Sequence, residues 1–208
     1  MKLIFVRHGQ TMFNEMGLAQ GWCDSPLTPL GISQAEETGA ALANIQIDEA
    51  WSSSSERAFD TADLILSAQH NQLVTSENIH RDKRLREMSF GWFEGGTNKL
   101  KDKLTMPDFK SWKIELDFTF AGGESSKQVL ERELQLMQEI TSTHRDNGQT
   151  ILIAGHGIAL TSLVHELAHD AIVEKYPDFR FMGNACALIL DYTQGAYAFE
   201  QIIGTYHT

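Results

Sequence analysis

Residues 3–14 have the sequence LIFVRHGQTMFN, in which four consecutive apolar residues lead directly into an arginine, a histidine and a glycine. An uninterrupted apolar run is typical of a strand that is covered on both faces, as in a parallel sheet between layers of helices. Residues 150–157, TILIAGHG, show a related pattern, with a second buried strand that opens onto a histidine between two glycines. The two stretches predict two strands of one sheet, each with a histidine at its carboxyl end.

Helices are predicted between the strands. Thr28 can cap a helix over about 29–44 that has Pro29 in its first turn. Ser55 can cap a second helix with apolar residues at helical spacing. Two more helices are predicted, a long amphipathic one over about 124–145 and one that follows the glycine-flanked histidine.

The remaining strands complete an alternating order. They are predicted at residues 48–54 (DEAWSSS), at about 74–80, and in a C-terminal hairpin formed by 186–190 and 197–203. Strands that alternate with helices predict an α/β fold with a mostly parallel sheet. In such sheets ligands bind at the carboxyl ends of the strands.

A change of composition at about 90–123 predicts a lid-like insertion within a single domain of residues 1–208. The segment contains GWFEGG, a lysine-rich stretch with Pro107, and AGG. Its aromatic side chains could line an apolar wall beside a substrate, or they could form a small core of the lid itself. They are Trp92, Phe93, Trp112, Phe118 and Phe120.

The charge balance limits the class of partner. The formal net charge of −11 disfavours nucleic acid and anionic membranes, because both repel an acidic surface. A small anionic ligand is still compatible, provided that basic residues gather in one place. The two cysteines, Cys23 and Cys186, and the lack of a membrane-spanning run or signal-peptide core predict a cytoplasmic protein.

Basic side chains at the strand ends suit a phosphate. Arg7 and Arg57 carry guanidinium forks that match phosphate oxygens, and a neutral imidazole at His8 offers a lone pair for attack on phosphorus. The helices that start after Ser55 and Gly157 are expected to aim their first amides at the same anion. Each residue taken singly has an ordinary explanation as a surface pair or a cap, so the prediction depends on the set, which also includes His156.

The order of several motifs resembles the histidine phosphatase superfamily, also called phosphoglycerate mutase-like. The segments are RHGQTMFN, QGWCDSPLTPLGISQA, SSSSERAFDTA, LREMSFGWFEG, GGES and ILIAGHG, and the similarity extends from Leu3 to about Leu163. The resemblance implies a phosphoglycerate mutase-like three-layer α/β sandwich with a small lid insertion. It also implies an enzyme that transfers a phosphoryl group through a phosphohistidine.

Residue roles follow from the resemblance. His8 matches the histidine that becomes phosphorylated, and Glu87 matches the proton donor to the leaving oxygen in many members. The residues matched to binding the phosphoryl group and stabilising the transition state are Arg7, Arg57 and His156. The positions matched to the phosphate pocket or the substrate entrance are Asn14, Gln20 and Gly21, and Gly157 lies in the second HG turn. Without the motif, Glu87 would be interpreted as a surface glutamate paired with Arg84 or Arg86.

The choice between hydrolysis and mutase chemistry depends on two segments. Mutases of this family have Glu-Arg-His-Tyr where this chain has residues 87–90, EMSF, and they have paired arginines in the insertion. Here the insertion has lysines instead, at Lys99, Lys101, Lys103, Lys110 and Lys113. We therefore expect a phosphatase that acts on a small phosphorylated metabolite, with neither metal nor cofactor, because the arginines supply the positive charge. A cofactor-dependent phosphoglycerate mutase and a non-catalytic binding relative are the alternatives, and the sequence leaves the substrate and the oligomeric state open.

One further motif is typical of a different class of enzyme, the zinc peptidases. Residues 165–169, HELAH, match the H-E-x-x-H pattern of zinc peptidases. Residues 170–179, DAIVEKYPDF, supply no continuation that would provide a third ligand. We interpret the match as chance and expect surface or helix-end histidines.

Overall fold

A mostly parallel sheet is at the centre of the computed structural model, which describes residues 1–96, 115–143 and 148–207. The strands within these ranges are β1 Lys2–Arg7, β2 Glu49–Ser53, β3 His80–Asp82, β4 Thr150–Gly155, β5 Phe181–Met182, β6 Ala187–Thr193, β7 Ala196–Ile203 and β8 Tyr206–His207. Six of them pair in the order β3-β2-β4-β1-β6-β7, and the two short strands β5 and β8 pair separately.

The register of the central strands decides where the site can form. Strand β1 pairs in parallel with β4, so that Arg7 lies opposite Gly155. Strand β2 pairs in parallel with the other side of β4, with Ser52 opposite Ala154. The carboxyl ends of all three strands therefore lie at one edge of the sheet.

Helices cover both faces of the sheet. They are α1 Met12–Glu15, α2 Pro29–Leu42, α3 Glu56–Ser67, α4 Ser126–Thr143 and α5 Gly157–Lys175. Successive side chains of β1 point to opposite faces, so Ile4 and Val6 pack with the apolar residues of α2 and α3, whereas Leu3 and Phe5 pack with those of α4 and α5. The predicted α/β class with helices on both sides of a mostly parallel sheet is confirmed.

Most predicted elements are present, with two differences. Residues 76–78 form a 3₁₀ turn rather than a strand, and the edge strand is β3, three residues long. Polar side chains at 75–78 favour a turn, since Thr75 and Asn78 hydrogen-bond to each other. The other difference is the β5–β8 pair, which the sequence did not predict. The C-terminal hairpin is formed by β6 and β7.

The caps of the first two long helices differ from each other. The hydroxyl of Thr28 accepts a hydrogen bond from the Gly31 amide at 3.0 Å, as predicted for the start of α2. Ser55 occupies the N-cap of α3, but among the described residues its side chain makes no capping hydrogen bond. Asp24 supplies the capping hydrogen bond instead, because its Oδ2 accepts from the Glu56 amide.

The predicted insertion is described only at its two ends, because Pro107, Trp112 and the five lysines lie outside the described residues. Among the described aromatics, Phe90, Phe93 and Phe120 each contact the ring of Phe118, which is buried. These contacts correspond to the small-core alternative for the lid, whereas Trp92 is 94% exposed. Within the described ranges, no helix combines the length and the apolar character needed to cross a bilayer.

Candidate active site

Two histidines meet at the carboxyl edge of the sheet. His8 follows β1 and His156 follows β4, and the parallel pairing of these strands brings the ring centroids to 5.3 Å from each other in an edge-to-face arrangement. The amide of His8 also donates to the Gly155 carbonyl at 3.0 Å, which joins the two strand ends directly. Both rings are buried, with 3% and 0% of their surface exposed.

The ring of His8 is held in one tautomer. Its Nδ1 lies 2.7 Å from the Gly9 carbonyl oxygen. A carbonyl can only accept, so Nδ1 carries the proton and Nε2 keeps its lone pair. Burial lowers the pKa of His8 well below its usual range, and the charges of Arg57 and Arg7 lower it further. The neutral ring with a free Nε2 is the form that can attack phosphorus.

The two predicted arginines are buried beside these rings. The Arg7 guanidinium lies over the Phe181 ring and donates through Nη1 to the Met182 carbonyl. Burial lowers the pKa of Arg7 to about 10, against an opposing effect of Glu87, so the side chain stays charged at neutral pH.

Arg57 is fixed by the loop that precedes α2. Its Nη1 donates to Asp24 Oδ1 and to the Cys23 carbonyl, both at 2.8 Å, and its Nη2 donates to the Gly21 carbonyl at 2.9 Å. These contacts use the outer nitrogens of the guanidinium. Within the described residues, the remaining guanidinium nitrogen, Nε, has no hydrogen-bond partner.

Three buried nitrogens at this edge lack a partner among the described residues. They are Nε of Arg7, Nε of Arg57 and Nδ1 of His156. Buried polar groups are normally paired, and an unpaired donor costs free energy, so each such group calls for an explanation. Burial lowers the pKa of His156 well below its usual range, and the charges of Arg57, His8, Arg132 and Arg7 lower it further. The same two arginines also lower the pKa of His8, so these groups lie close together. An anion bound between them would satisfy such donors.

Glu87 is not a surface residue. It is 8% exposed, and its carboxylate accepts hydrogen bonds from the amides of Ile158 and Ala159 in the first turn of α5, both at 3.1 Å. Neither Arg84 nor Arg86 pairs with it: Arg84 binds Asp82 and Glu139, and Arg86 donates to the Ser54 hydroxyl. The alternative of a surface ion pair for Glu87 is therefore wrong.

The backbone of Glu87 is also held in place. Its carbonyl accepts from the Trp22 indole and from the Arg132 guanidinium, both at 3.0 Å. Arg132 is anchored in turn by Glu124. Neighbouring residues therefore fix the position of the Glu87 main chain as well as its carboxylate.

At two helix N-termini, first-turn amides that were expected to face an anion hydrogen-bond to carboxyl groups of the protein. In α3 the Glu56 amide donates to Asp24, and in α5 the Ile158 and Ala159 amides donate to Glu87. The side-chain oxygens of Asp24 and Glu87 therefore lie at the positive ends of these two helices. The unpaired donors come from side chains instead.

The three residues matched to the pocket or its entrance, and Gly157 in the second HG turn, have different surroundings. Asn14 closes the capping box of α1 with Thr11, and its Oδ1 lies 3.4 Å from Asn184 Nδ2. Gln20 is buried and bridges the hydroxyls of Thr11 and Ser25. It supports the loop around α1 with both ends of its amide.

The two glycines among these four lie close to side chains that a Cβ would meet. Gly21 has a φ of +55°, and a Cβ there would lie 2.6 Å from Glu94. A Cβ at Gly157 would lie 2.6 Å from the Phe181 ring and 3.1 Å from Arg7 Nε. A side chain at Gly157 would thus disturb the arginine.

Sequence reasoning missed three residues that hold this arrangement: Asp24, Ser53 and Asn184. Asp24 pairs with Arg57, Ser53 hydrogen-bonds to His156, and Asn184 donates to the His8 carbonyl at 3.2 Å. Asp24 and Ser53 lie inside the quoted motifs, which was the available signal. No pattern in the sequence marks Asn184, because it reaches His8 only through the fold.

The H-E-x-x-H segment lies within α5, and its first histidine is not at the surface. His165 is 1% exposed, and its Nδ1 lies 3.1 Å from that of His169. The expectation of surface or helix-end histidines is therefore wrong for His165. Burial and the neighbouring His169 lower its pKa to about 4. Within the part of the chain that the structure describes, no group of three or more candidate ligands could hold a metal ion.

Comparison with known proteins agrees with the fold and with the motifs. The family model of the histidine phosphatase superfamily (branch 1) matches residues 3–203. A 2,3-bisphosphoglycerate-dependent phosphoglycerate mutase of Cytophaga hutchinsonii is 32% identical over 167 residues, which cover 79% of this chain and 76% of the relative. A putative phosphoserine phosphatase 2 of Hydrogenobacter thermophilus is 34% identical over 164 residues, which cover 78% and 76%.

A solved structure shares the architecture over nearly the whole chain. The phosphoglycerate mutase from Bacillus anthracis superposes with a TM-score of 0.79 at 27% identity, and the alignment covers 96% of this chain and 91% of the other. The similar proteins thus include both mutases and phosphatases. Since the family match extends over nearly its whole length, this chain belongs to branch 1 of the histidine phosphatase superfamily.

Proposed function

We propose that the protein is a metal-independent phosphatase that hydrolyses a small phosphomonoester through a phosphohistidine on His8. The observation that carries this proposal is the set of unpaired, buried nitrogens of Arg7, Arg57 and His156 around a neutral His8 ring. A tetrahedral anion would accept from all three while His8 Nε2 faces its phosphorus. The uncatalysed hydrolysis of phosphate monoesters is extremely slow, and such preorganised positive charge is the main way to accelerate it.

The reaction would have two steps. In the first, Nε2 of His8 forms a bond to phosphorus while the bond from phosphorus to the alcohol oxygen breaks, and Glu87 gives its proton to that oxygen. In the second, the Glu87 carboxylate takes a proton from water as the water oxygen bonds to phosphorus and the P–N bond breaks. Inorganic phosphate leaves, and both residues return to their starting forms. The two guanidiniums would neutralise the oxygens of the transferring group throughout.

The surroundings of Met88 support hydrolysis over mutase chemistry. Met88 stands where mutases of the family have an arginine, and it is 0% exposed, packed with Phe90, Phe118 and Val129. The next residue, Ser89, donates a hydrogen bond from its amide to Glu124 and one from its hydroxyl to Glu94. These two positions supply no cation that would hold a carboxylated substrate for return transfer of the phosphoryl group.

Activity with an aryl phosphate tests the proposal directly. Purified protein should hydrolyse p-nitrophenyl phosphate in the presence of EDTA, and rapid quenching should trap an acid-labile phosphoprotein. His8→Ala should abolish both signals. His70→Ala changes an exposed histidine and is the matched control, which should retain full activity. Activity that survives in His8→Ala would refute the assignment.

A substrate panel separates the alternatives. Interconversion of phosphoglycerates that depends on a bisphosphate primer, at a rate above hydrolysis, would identify a mutase instead. No turnover across a broad panel of phosphomonoesters would favour a non-catalytic binding relative. The panel would also show which small phosphorylated metabolite is preferred.

A further inference from the structure

A serine at the end of β2 contacts the second histidine. The hydroxyl oxygen of Ser53 lies 2.8 Å from His156 Nε2, and both side chains are 0% exposed. The contact follows from the sheet, because β2 and β4 pair in parallel and end side by side. The strand pairing therefore fixes the position of Ser53 relative to His156.

The hydrogen bonds around Ser53 indicate which of the two groups, the hydroxyl or the ring nitrogen, donates the hydrogen. The Ser55 amide donates to the Ser53 hydroxyl oxygen at 3.3 Å, so this oxygen already acts as an acceptor. Within the described residues, His156 Nε2 is the only group positioned to receive the hydroxyl proton. Nε2 is then an acceptor, and in a neutral ring the proton lies on Nδ1.

The opposite nitrogen of the same ring is one of the unpaired groups. His156 Nδ1 is buried and has no hydrogen-bond partner among the described residues. As an N–H group, it would donate to an oxygen of a bound phosphoryl group. In the other tautomer its lone pair would face that oxygen, and the contact would be repulsive.

We propose that Ser53 is a positioning residue that holds His156 as the Nδ1–H tautomer, ready to donate to the transferring phosphoryl group. The role in catalysis depends on the proposed phosphatase function, whereas the tautomer itself does not. In this role Ser53 acts through His156.

Nuclear magnetic resonance tests the tautomer without any turnover. Two-bond ¹H–¹⁵N correlation spectra of the imidazoles in ¹⁵N-labelled protein should show His156 with a protonated Nδ1 and an unprotonated Nε2. Ser53→Ala should shift His156 toward the Nε2–H form. Ser52→Ala is the matched control, because Ser52 is equally buried on the same strand but donates to the Ser53 carbonyl instead. It should leave the His156 signals unchanged.

Anion binding and kinetics test the consequence. We expect Ser53→Ala to bind orthovanadate about tenfold more weakly and to lose about 10- to 100-fold in kcat, with a smaller change in KM, because the contact strengthens in the transition state. Ser53→Thr, which keeps the hydroxyl, should recover part of the loss.

The outcomes separate the two proposals. An Nε2–H tautomer of His156 in the wild type would overturn the role of Ser53, even if Ser53→Ala failed to fold. So would a Ser53→Ala variant with unchanged His156 signals and unchanged vanadate affinity. A wild type that shows the expected tautomer and vanadate binding but no hydrolysis would support the positioning by Ser53 and contradict only the phosphatase function.

Discussion

The rings of His8 and His156 lie edge to face, and the two rings use different nitrogens to hydrogen-bond to the rest of the protein. His8 uses Nδ1 to bind the Gly9 carbonyl, whereas His156 uses Nε2 to bind Ser53. The pair therefore presents one lone pair, on His8 Nε2, and one N–H group, on His156 Nδ1. This division suits attack on phosphorus by one ring and stabilisation of a phosphoryl oxygen by the other.

The acid role of Glu87 predicts a dependence on the leaving group. Glu87→Gln keeps the size of the side chain but cannot give a proton to the alcohol oxygen. We expect kcat for an alkyl phosphate to fall about 10²- to 10⁴-fold, and that for 2,4-dinitrophenyl phosphate to change little, because its leaving group needs no proton. Steady-state rates with both substrates measure this. An equal loss with the two substrates would contradict the acid role and indicate a general disturbance of the first turn of α5.

The pairing of Asp24 with Arg57 predicts a joint effect on stability and activity. Asp24→Ala removes the partner of a buried guanidinium and the cap of α3. We expect a loss of about 1–3 kcal/mol in the free energy of unfolding and a fall of about tenfold in kcat/KM. Asp24→Asn, which keeps an acceptor, should lose less in both.

Denaturant unfolding and steady-state kinetics check the Asp24 prediction. Glu36→Ala removes a carboxylate from the exposed face of α2 and should change neither quantity. If Asp24→Ala is as stable and as active as Glu36→Ala, Asp24 does not hold Arg57 in place.

A buried acid in α4 predicts a pH-dependent loss of stability. Glu133 is 0% exposed, and neither carboxyl oxygen has a partner within the described ranges. Burial raises the pKa of Glu133 well above its usual value of 4.5, with further contributions from Glu87 and Glu124, against an opposing effect of Arg132. The carboxyl is therefore neutral in the folded protein at pH values where it is ionised in the unfolded chain.

The sign of the effect follows from proton binding. Above about pH 4.5 the folded state holds a proton that the unfolded chain has released, so the stability falls by about 1.4 kcal/mol per pH unit until the folded carboxyl ionises. Glu133→Gln removes this dependence, so its stability relative to wild type should rise between pH 5 and pH 8. Urea unfolding over that range measures the difference, with Glu131→Gln on the exposed side of α4 as the control. A stability difference that does not vary with pH would contradict the neutral, buried state of Glu133.

Periodicity and local chemistry were enough to predict the scaffold. The apolar runs at 3–6 and 150–154 indicated strands buried on both faces, and these are β1 and β4 at the centre of the sheet. Thr28 and Pro29 indicated the start of α2, because a cap depends on neighbouring residues alone. The polar segment at 74–80 was mistaken for a strand, because an edge strand three residues long leaves little periodic signal.

The sequence by itself determined the layered α/β class and, through its motifs, the family and the histidines and arginines that could act on phosphate. Only the tertiary structure decided which ring nitrogen is free, that Asp24 and Glu87 accept from the first amides of two helices, and that Glu87 is buried. The physical reason is that strands and caps follow from residues close in sequence. The tautomer of a ring and the pairing of a guanidinium depend on partners that reach it from distant strands and loops, such as Ser53 for His156 and Asp24 for Arg57.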